Sequence, residues 1–346
     1  MRRHVILLTY GEPPTRGFFA QLRYSWRILL GLTRSVAPIP APLLPIIALS
    51  RARRRWKLWT DERYSSPLEA ITREEAAGLA AALARQAPDT DWRVHVAYEF
   101  RDPLLTTVLV SLSEAEPVDV VPMYVADSAF THEISRVTLV GWSRLRSAPR
   151  GAAVRVLPPL PEETFAEISA RHVEREIAAR GVGGPQWALV LAAHGTLLEP
   201  PRPIETGRAA TERVCAGIAS RLSSRFGKIQ NGWLNHVYGG RWTQPPVERA
   251  LEQIVEAGFT RVVYYPYGFS ADNAESELEG RLALRTQPSL EAVHLPCLNA
   301  SRDLLEALAA HVIASDSPAA PGVEEPEPAA APAATASNQD RGPASR

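Results

Sequence analysis

Residues 187–196, Trp-Ala-Leu-Val-Leu-Ala-Ala-His-Gly-Thr, constrain this chain most. Every side chain from 188 to 193 is small or aliphatic. The run is short for a buried helix and suits a strand covered on both faces, the kind found in parallel sheets. It stops at His194, followed by Gly195. Ligands of open α/β sheets lie beyond the carboxyl ends of the strands, so His194 falls where a ligand would meet the sheet. Taken alone, it is first of all a histidine satisfied at a strand end.

Comparable runs recur along the chain. Residues 5–9, 92–98, 118–124 and 152–157 read as strands, as do 228–235, 261–267 and 291–295. Helical patterns separate them at 104–115, 137–147, 165–180, 206–225, 247–257 and 301–315. Another runs to Arg85, with Thr72-Arg73-Glu74-Glu75 as its capping box. Alternating strands and helices predict an α/β fold with parallel sheets and right-handed crossovers. The expected organisation is two Rossmann-type halves, 1–150 and 151–316, with a cleft between them and a lip at 13–60. Residues 317–346, rich in Pro, Ala and Glu without periodicity, are expected to be disordered.

A length of 346 residues accommodates two such halves. Lys plus Arg and Asp plus Glu are both 38, which argues against a nucleic-acid binder driven by net charge. The two cysteines, Cys215 and Cys297, make neither a disulfide framework nor a zinc set, and point to a reducing cytoplasm. The most apolar segment, 29–49, is interrupted by Arg34 and by Pro38, Pro40, Pro42 and Pro45, so it is not one helix. Phe18, Phe19, Leu22, Trp26, Leu29 and Leu30 recur at helical spacing before it, and 51–57 is basic and aromatic. That cluster can hold acidic ligand groups, rest on a membrane surface, or form a solvated helix face.

Four motifs occur in order: Leu7-Leu8-Thr9-Tyr10-Gly11-Glu12-Pro13, then Trp56-Lys57-Leu58-Trp59 with Ser65-Ser66-Pro67-Leu68, then Ala193-His194-Gly195, and lastly 267–275, Tyr-Gly-Phe-Ser-Ala-Asp-Asn-Ala-Glu. Together they resemble the ferrochelatase family, the metal-inserting enzymes that end haem synthesis. The resemblance runs from Val5 to about Ala314. The last motif, similar to the family's Gly-Phe-x-x-Asp-His-x-Glu, is the most specific.

The resemblance implies that Fe²⁺ is inserted into protoporphyrin IX or coproporphyrin III, with release of two protons. It implies no organic cofactor, and the absence of a four-cysteine pattern argues against an iron–sulfur cluster. His194 and Glu275 are the implied catalytic and metal-binding pair. A neutral imidazole can accept a pyrrole proton, and imidazole with carboxylate is a reasonable ligand set for Fe²⁺. Tyr10, Arg23, Arg27 and Tyr124 are the candidate substrate contacts. Asp272 and Glu279 are candidates for a metal or proton relay, because a helix starting after Asp272 would put Glu275 and Glu279 on one face. The lip would bury the apolar macrocycle, with peripheral membrane contact through 18–57. Departures from the family stand at Asn235-His236, at 200–208, at Pro122-Met123-Tyr124-Val125, and at Asn273 where the family has histidine. A chelatase for another metal or tetrapyrrole, and a porphyrin or haem carrier on the same scaffold, are the alternatives.

Overall fold

The computed structural model describes residues 2–35, 39–112, 115–144, 153–234 and 240–315. The predicted disordered tail and the Asn235-His236 departure lie outside them. The chain runs β1 (Arg2–Thr9), α1 (Phe18–Ser35), α2 (Leu44–Asp61), α3 (Leu68–Gln86), β2 (Asp91–Tyr98), α4 (Leu105–Ser111), β3 (Val118–Pro122), α5 (His132–Arg144) and β4 (Val154–Val156). It continues α6 (Glu162–Arg180), β5 (Gly184–His194), α7 (Arg208–Leu222), β6 (Phe226–Leu234), α8 (Val247–Glu256) and β7 (Arg261–Tyr265). A π-helix (Ala274–Glu279), α9 (Gly280–Arg285), β8 (Glu291–His294) and α10 (Arg302–Ala314) complete it.

Two four-stranded sheets form, in the orders β2-β1-β3-β4 and β6-β5-β7-β8, and every pairing is parallel. The same winding therefore occurs twice. In each sheet the first strand sits beside the third, and the order reverses between them, which is where open α/β sheets bind ligands. The continuous apolar strands follow from this layering. Val5 and Leu7 enter one core while Ile6 and Leu8 enter another. Leu189, Leu191 and Ala193 face the first core, and Ala188, Val190 and Ala192 face a third.

The first core joins the halves. It gathers Leu79 and Leu83 of α3, Phe165 and Val173 of α6, and Leu304 and Leu308 of α10 with residues of both sheets. Two expectations need correction here. The division at 150/151 cuts off β4, which pairs with β3 and belongs to the first sheet. The capping box at Thr72 does not start its helix. α3 begins at Leu68 behind Pro67, and Thr72 Oγ1 instead donates to the Leu68 carbonyl at 2.7 Å. Pro67 stands at the start, and Ser66 Oγ accepts from Leu68 N at 3.2 Å there.

Glu75 is the cost of this interface. It is fully buried in α3, and neither carboxyl oxygen has a hydrogen-bond partner among the described residues. Burial pushes its pKa from the ordinary 4.5 up to about 8, with Glu74 adding to the shift. The folded chain thus holds a proton that the unfolded chain releases. The stability from that proton is complete below pH 4.5 and is lost as pH rises through about 8. Glu75→Met, with no proton to lose, is expected to flatten this slope and to exceed the parent at pH 8 by about 1–3 kcal/mol. Urea denaturation at pH 5 and pH 8 checks this; equal slopes in the two proteins would rule it out.

Candidate active site

His194 is the last residue of β5, and Glu275 follows β7, the neighbouring strand. Gly268 brings them together. A Cβ there would lie 2.5 Å from Ala193 Cα, so only glycine lets the loop after β7 run against the end of β5. Its amide donates to the Ala192 carbonyl at 3.1 Å. The loop after His194 is braced from its other side. Gly195 N donates to Leu234 O at 2.8 Å, and Thr196 N to Thr243 Oγ1 at 3.1 Å.

The two side chains meet with His194 Nε2 3.6 Å from Glu275 Oε2. His194 Nδ1 lies 2.7 Å from the Gly195 carbonyl, which can only accept, so Nδ1 carries the proton. In the neutral ring Nε2 then holds the lone pair, on the side of Glu275. A nitrogen lone pair beside a carboxylate can accept a proton or bind a divalent cation.

Glu275 sits in the first turn of the π-helix, and Asn273 caps that turn. Asn273 Oδ1 accepts from Glu275 N at 2.8 Å and from Ser276 N at 3.1 Å, while Ser276 Oγ accepts from Asn273 N at 2.9 Å. Asparagine is among the strongest helix N-caps. π-turns are rare and occur frequently at functional sites. Glu279 lies one turn on, and burial together with Glu275 raises its pKa to about 8. Asp272, the other relay candidate, is hydrogen-bonded to the loop after β8. Its oxygens accept from Cys297 N at 2.9 Å and Asn299 Nδ2 at 2.7 Å, so it clamps the loop after β8.

The equivalent place in the first sheet is aromatic. Tyr10 follows β1 and Tyr124 follows β3, and their rings lie 4.8 Å apart. Tyr10 also stacks on Phe100 at 5.5 Å and donates to the Phe130 carbonyl at 2.5 Å. Tyr124 donates to Glu99 at 3.0 Å, as Ser135 does at 2.9 Å. Burial raises Glu99 to about 8 against the lowering effect of those two donors. Both phenols are pushed up by burial, and Glu275 acts on Tyr10, which places the two strand ends within electrostatic reach of each other. Arg23 and Arg27 stand on α1, both paired with Asp102, at 2.7 and 3.1 Å.

The residue that sequence reasoning passed over is Glu12. It is buried and receives four donors: Arg55 Nη2 at 3.1 Å, Ser66 Oγ at 2.8 Å, Ala274 N at 2.9 Å and, through its backbone carbonyl, Arg101 Nη1 at 3.3 Å. Its signal was the presence of Glu12, Ser66 and the 267–275 stretch in separate motifs. The Glu12 carboxylate ties its own turn to the other two segments. Ser270 adds a second tie between the halves, donating to the Met123 carbonyl at 2.9 Å.

The sequence profile of the ferrochelatase family matches residues 2–316. Proteins named ferrochelatase are similar to the chain. That of Chelativorans sp. (strain BNC1) is 27% identical over 318 residues, covering 86% of each chain. That of Bradyrhizobium diazoefficiens is 28% identical over 278 residues, covering 74% of this chain and 75% of the relative. That of Gluconobacter oxydans (strain 621H) is 25% identical over 344 residues, covering 90% and 94%. Among solved structures, CbiX, described as the terminal enzyme for biosynthesis of sirohaem in denitrifying bacteria, superposes with a TM-score of 0.51. It is 15% identical and covers 90% of this chain and 99% of that one, a likeness of fold.

Glu12→Gln is expected to lower stability by about 3 kcal/mol, because it strands the Arg55 charge in the interior. Urea denaturation measures this; a loss below about 0.5 kcal/mol would be that of an ordinary surface change and would show that the pair bears no such load.

Proposed function

The chain belongs to the ferrochelatase family, and on that premise we propose that it inserts Fe²⁺ into a porphyrin in haem synthesis, with His194 and Glu275 at the reacting centre. The porphyrin gives up two pyrrole N–H protons, and four ring nitrogens take the ion. His194 Nε2 accepts the two protons in turn, handing the first to water before it takes the second, and the bond from Nδ1 to Gly195 O holds the tautomer that permits it. Glu275 binds the ferrous substrate through its carboxylate. With the Nε2 lone pair taken by the proton, the carboxylate oxygen is the ligand the pair offers at that step, leaving positions for water and then for the pyrrole nitrogens. The observation that carries this reading is the 3.6 Å approach of His194 Nε2 to Glu275 Oε2 at the reversal point of the second sheet.

Tyr10 and Tyr124 offer the flat apolar macrocycle an aromatic surface, as ligand pockets generally do. Arg23 and Arg27 would take porphyrin carboxylates by sharing or displacing Asp102. Glu279 extends the carboxylate line from Glu275, and Asp272 supports it by holding the neighbouring loop. The reaction calls for no organic cofactor, and Cys215 and Cys297 are too few thiols for a four-thiolate cluster.

Anaerobic insertion of Fe²⁺ into coproporphyrin III and protoporphyrin IX, followed by absorbance, tests the proposal. Turnover is expected with at least one ring. His194→Ala and Glu275→Gln are each expected to lower kcat by about 100-fold or more, the scale of a lost proton acceptor. Tight porphyrin binding with no divalent ion inserted would leave a carrier instead. Parent-like rates in His194→Ala would mean that another group is the base.

No described helix is long and apolar enough to cross a membrane. We further propose that the α1–α2 lip rests on anionic membrane surfaces. Phe19 is 81% exposed, Ile46 65% and Leu49 51%, beside exposed Arg53, Arg54 and Lys57. Arg55, in the same basic run, is buried against Glu12 and is not part of that surface. Flotation with anionic liposomes is expected to carry the protein up, and to fail for a variant with Phe19, Ile46, Arg53 and Lys57 all changed to Ser. Equal flotation of both proteins would exclude the lip.

A further inference from the structure

A cavity of about 320 Å³ lies between α2 and the second half of the chain. Arg51, Arg54 and Arg55 line one wall, on the i, i+3, i+4 face of α2. Trp233 at the end of β6 and Glu248 in the first turn of α8 line another. The π-helix turns Ala274, Leu278 and Glu279 to this space, but neither Glu275 nor His194 lines it. The volume is at the small end of ligand sites, which run from about 300 to 1,000 Å³. It admits a small molecule.

The arginines are not equivalent. Arg55 is committed to Glu12 at 3.1 Å and to Gln21 at 3.1 Å, with its guanidinium over the rings of Tyr24 and Trp59. Arg54 is exposed. Among the described residues Arg51 forms no ion pair or hydrogen bond that closes its guanidinium, and its Nε is shut away from water without an acceptor there. Burial, then the neighbouring charges of Arg55 and Arg54, disfavour its charged form, while Tyr24 and Glu275 act the other way. A buried donor on a charged group costs more when unmet than almost any other polar group. The planar guanidinium binds carboxylate and phosphate oxygens through paired N–H donors. An oxyanion in the cavity would meet the guanidinium that Arg51 presents to it, with Arg54 one turn further along the helix as the second cation.

We propose that this cavity is a binding site for a small oxyanion, a carboxylate or phosphate held by Arg51 and Arg54, adjacent to the His194–Glu275 pair and separate from it. The site does not depend on turnover, so its failure and the failure of the chelatase reading are distinguishable. Free phosphate and a free polycarboxylate offer the same oxygen chemistry.

Isothermal titration of the full chain at constant ionic strength in chloride, with inorganic phosphate and separately with citrate, tests the site. Saturable one-to-one binding of at least one anion is expected, and the tighter of the two identifies the source. Arg51→Gln and Arg54→Gln are expected to weaken it by about tenfold or more, the scale of one charged hydrogen bond. Arg180→Gln, on the remote helix α6, is expected to leave it unchanged. Circular dichroism and melting without anion verify that the variants are folded. No saturation by either anion in the millimolar range would overturn the proposal. So would parent-like affinity in Arg51→Gln. Competitive displacement of the bound anion by coproporphyrin III would reassign Arg51 to the porphyrin carboxylates and overturn a separate site.

Discussion

The arrangement around the candidate site depends on a buried carboxylate, Glu12. It stands in the turn after β1 and binds Arg55 of α2, Ser66 of the next loop and Ala274 at the head of the π-helix. Removing two opposite charges from water costs several kcal/mol for each ion, and their attraction offsets that only when the remaining hydrogen-bonding sites are also met. Here they are met on both sides. Glu12 has neutral donors besides Arg55, and Arg55 has Gln21 and two aromatic rings besides Glu12. An interaction so costly to leave incomplete holds the lip, the first sheet and the π-helix in one relation. That relation sets where Glu275 stands.

Upon this clamp lies a repeated winding. Each sheet reverses its strand order between its first and third strands, and each places a pair of side chains there. In the second sheet the pair is polar, His194 with Glu275; in the first it is aromatic, Tyr10 with Tyr124. The division suits a flat apolar substrate that must exchange protons for a metal ion at its centre. The first sheet keeps its own carboxyl, Glu99, mostly protonated at neutral pH through burial, so that wall carries little charge. Gly268 joins the winding to the chemistry, since any side chain there would push the loop bearing Glu275 off the end of β5.

Most of the strands were legible because a parallel strand covered on both faces must be apolar at every position. The runs at 5–9 and 188–193 carry that signature plainly. His194 and Glu275 were legible as a pair through motif order, and their positions after neighbouring strands follow from the winding. The helix starts were less so. Thr72-Arg73-Glu74-Glu75 has the composition of a cap, yet Pro67 starts the helix a turn earlier, and burial of Glu75 in the shared core takes the would-be capping carboxyl inside. β4 has only three residues, half-buried, too short a run to declare which half it serves. The π-turn left no periodic mark, because its six residues are too few for any period to show.

What the amino-acid order determined by itself was local and repetitive: which stretches are strands, where most of them end, that His194 closes one, and that Tyr10, Tyr124 and the 267–275 loop lie past others. Those features depend on neighbours in the chain and on the period of burial, and both are written along it. What only the tertiary structure decided were relations between residues far apart in sequence. Glu12 and Ala274 are 262 positions apart, and nothing in either segment names the other. Asp272, which could as well have served a relay, is committed to Cys297 and Asn299 because the loop after β8 folds over it. Arg51 and Arg55 look alike in sequence and line the same cavity, and they differ because Arg55 alone of the two meets the Glu12 carboxylate in the folded chain. A side chain's partner is set by packing, which sums over the whole chain, and packing is the one term that no local pattern contains.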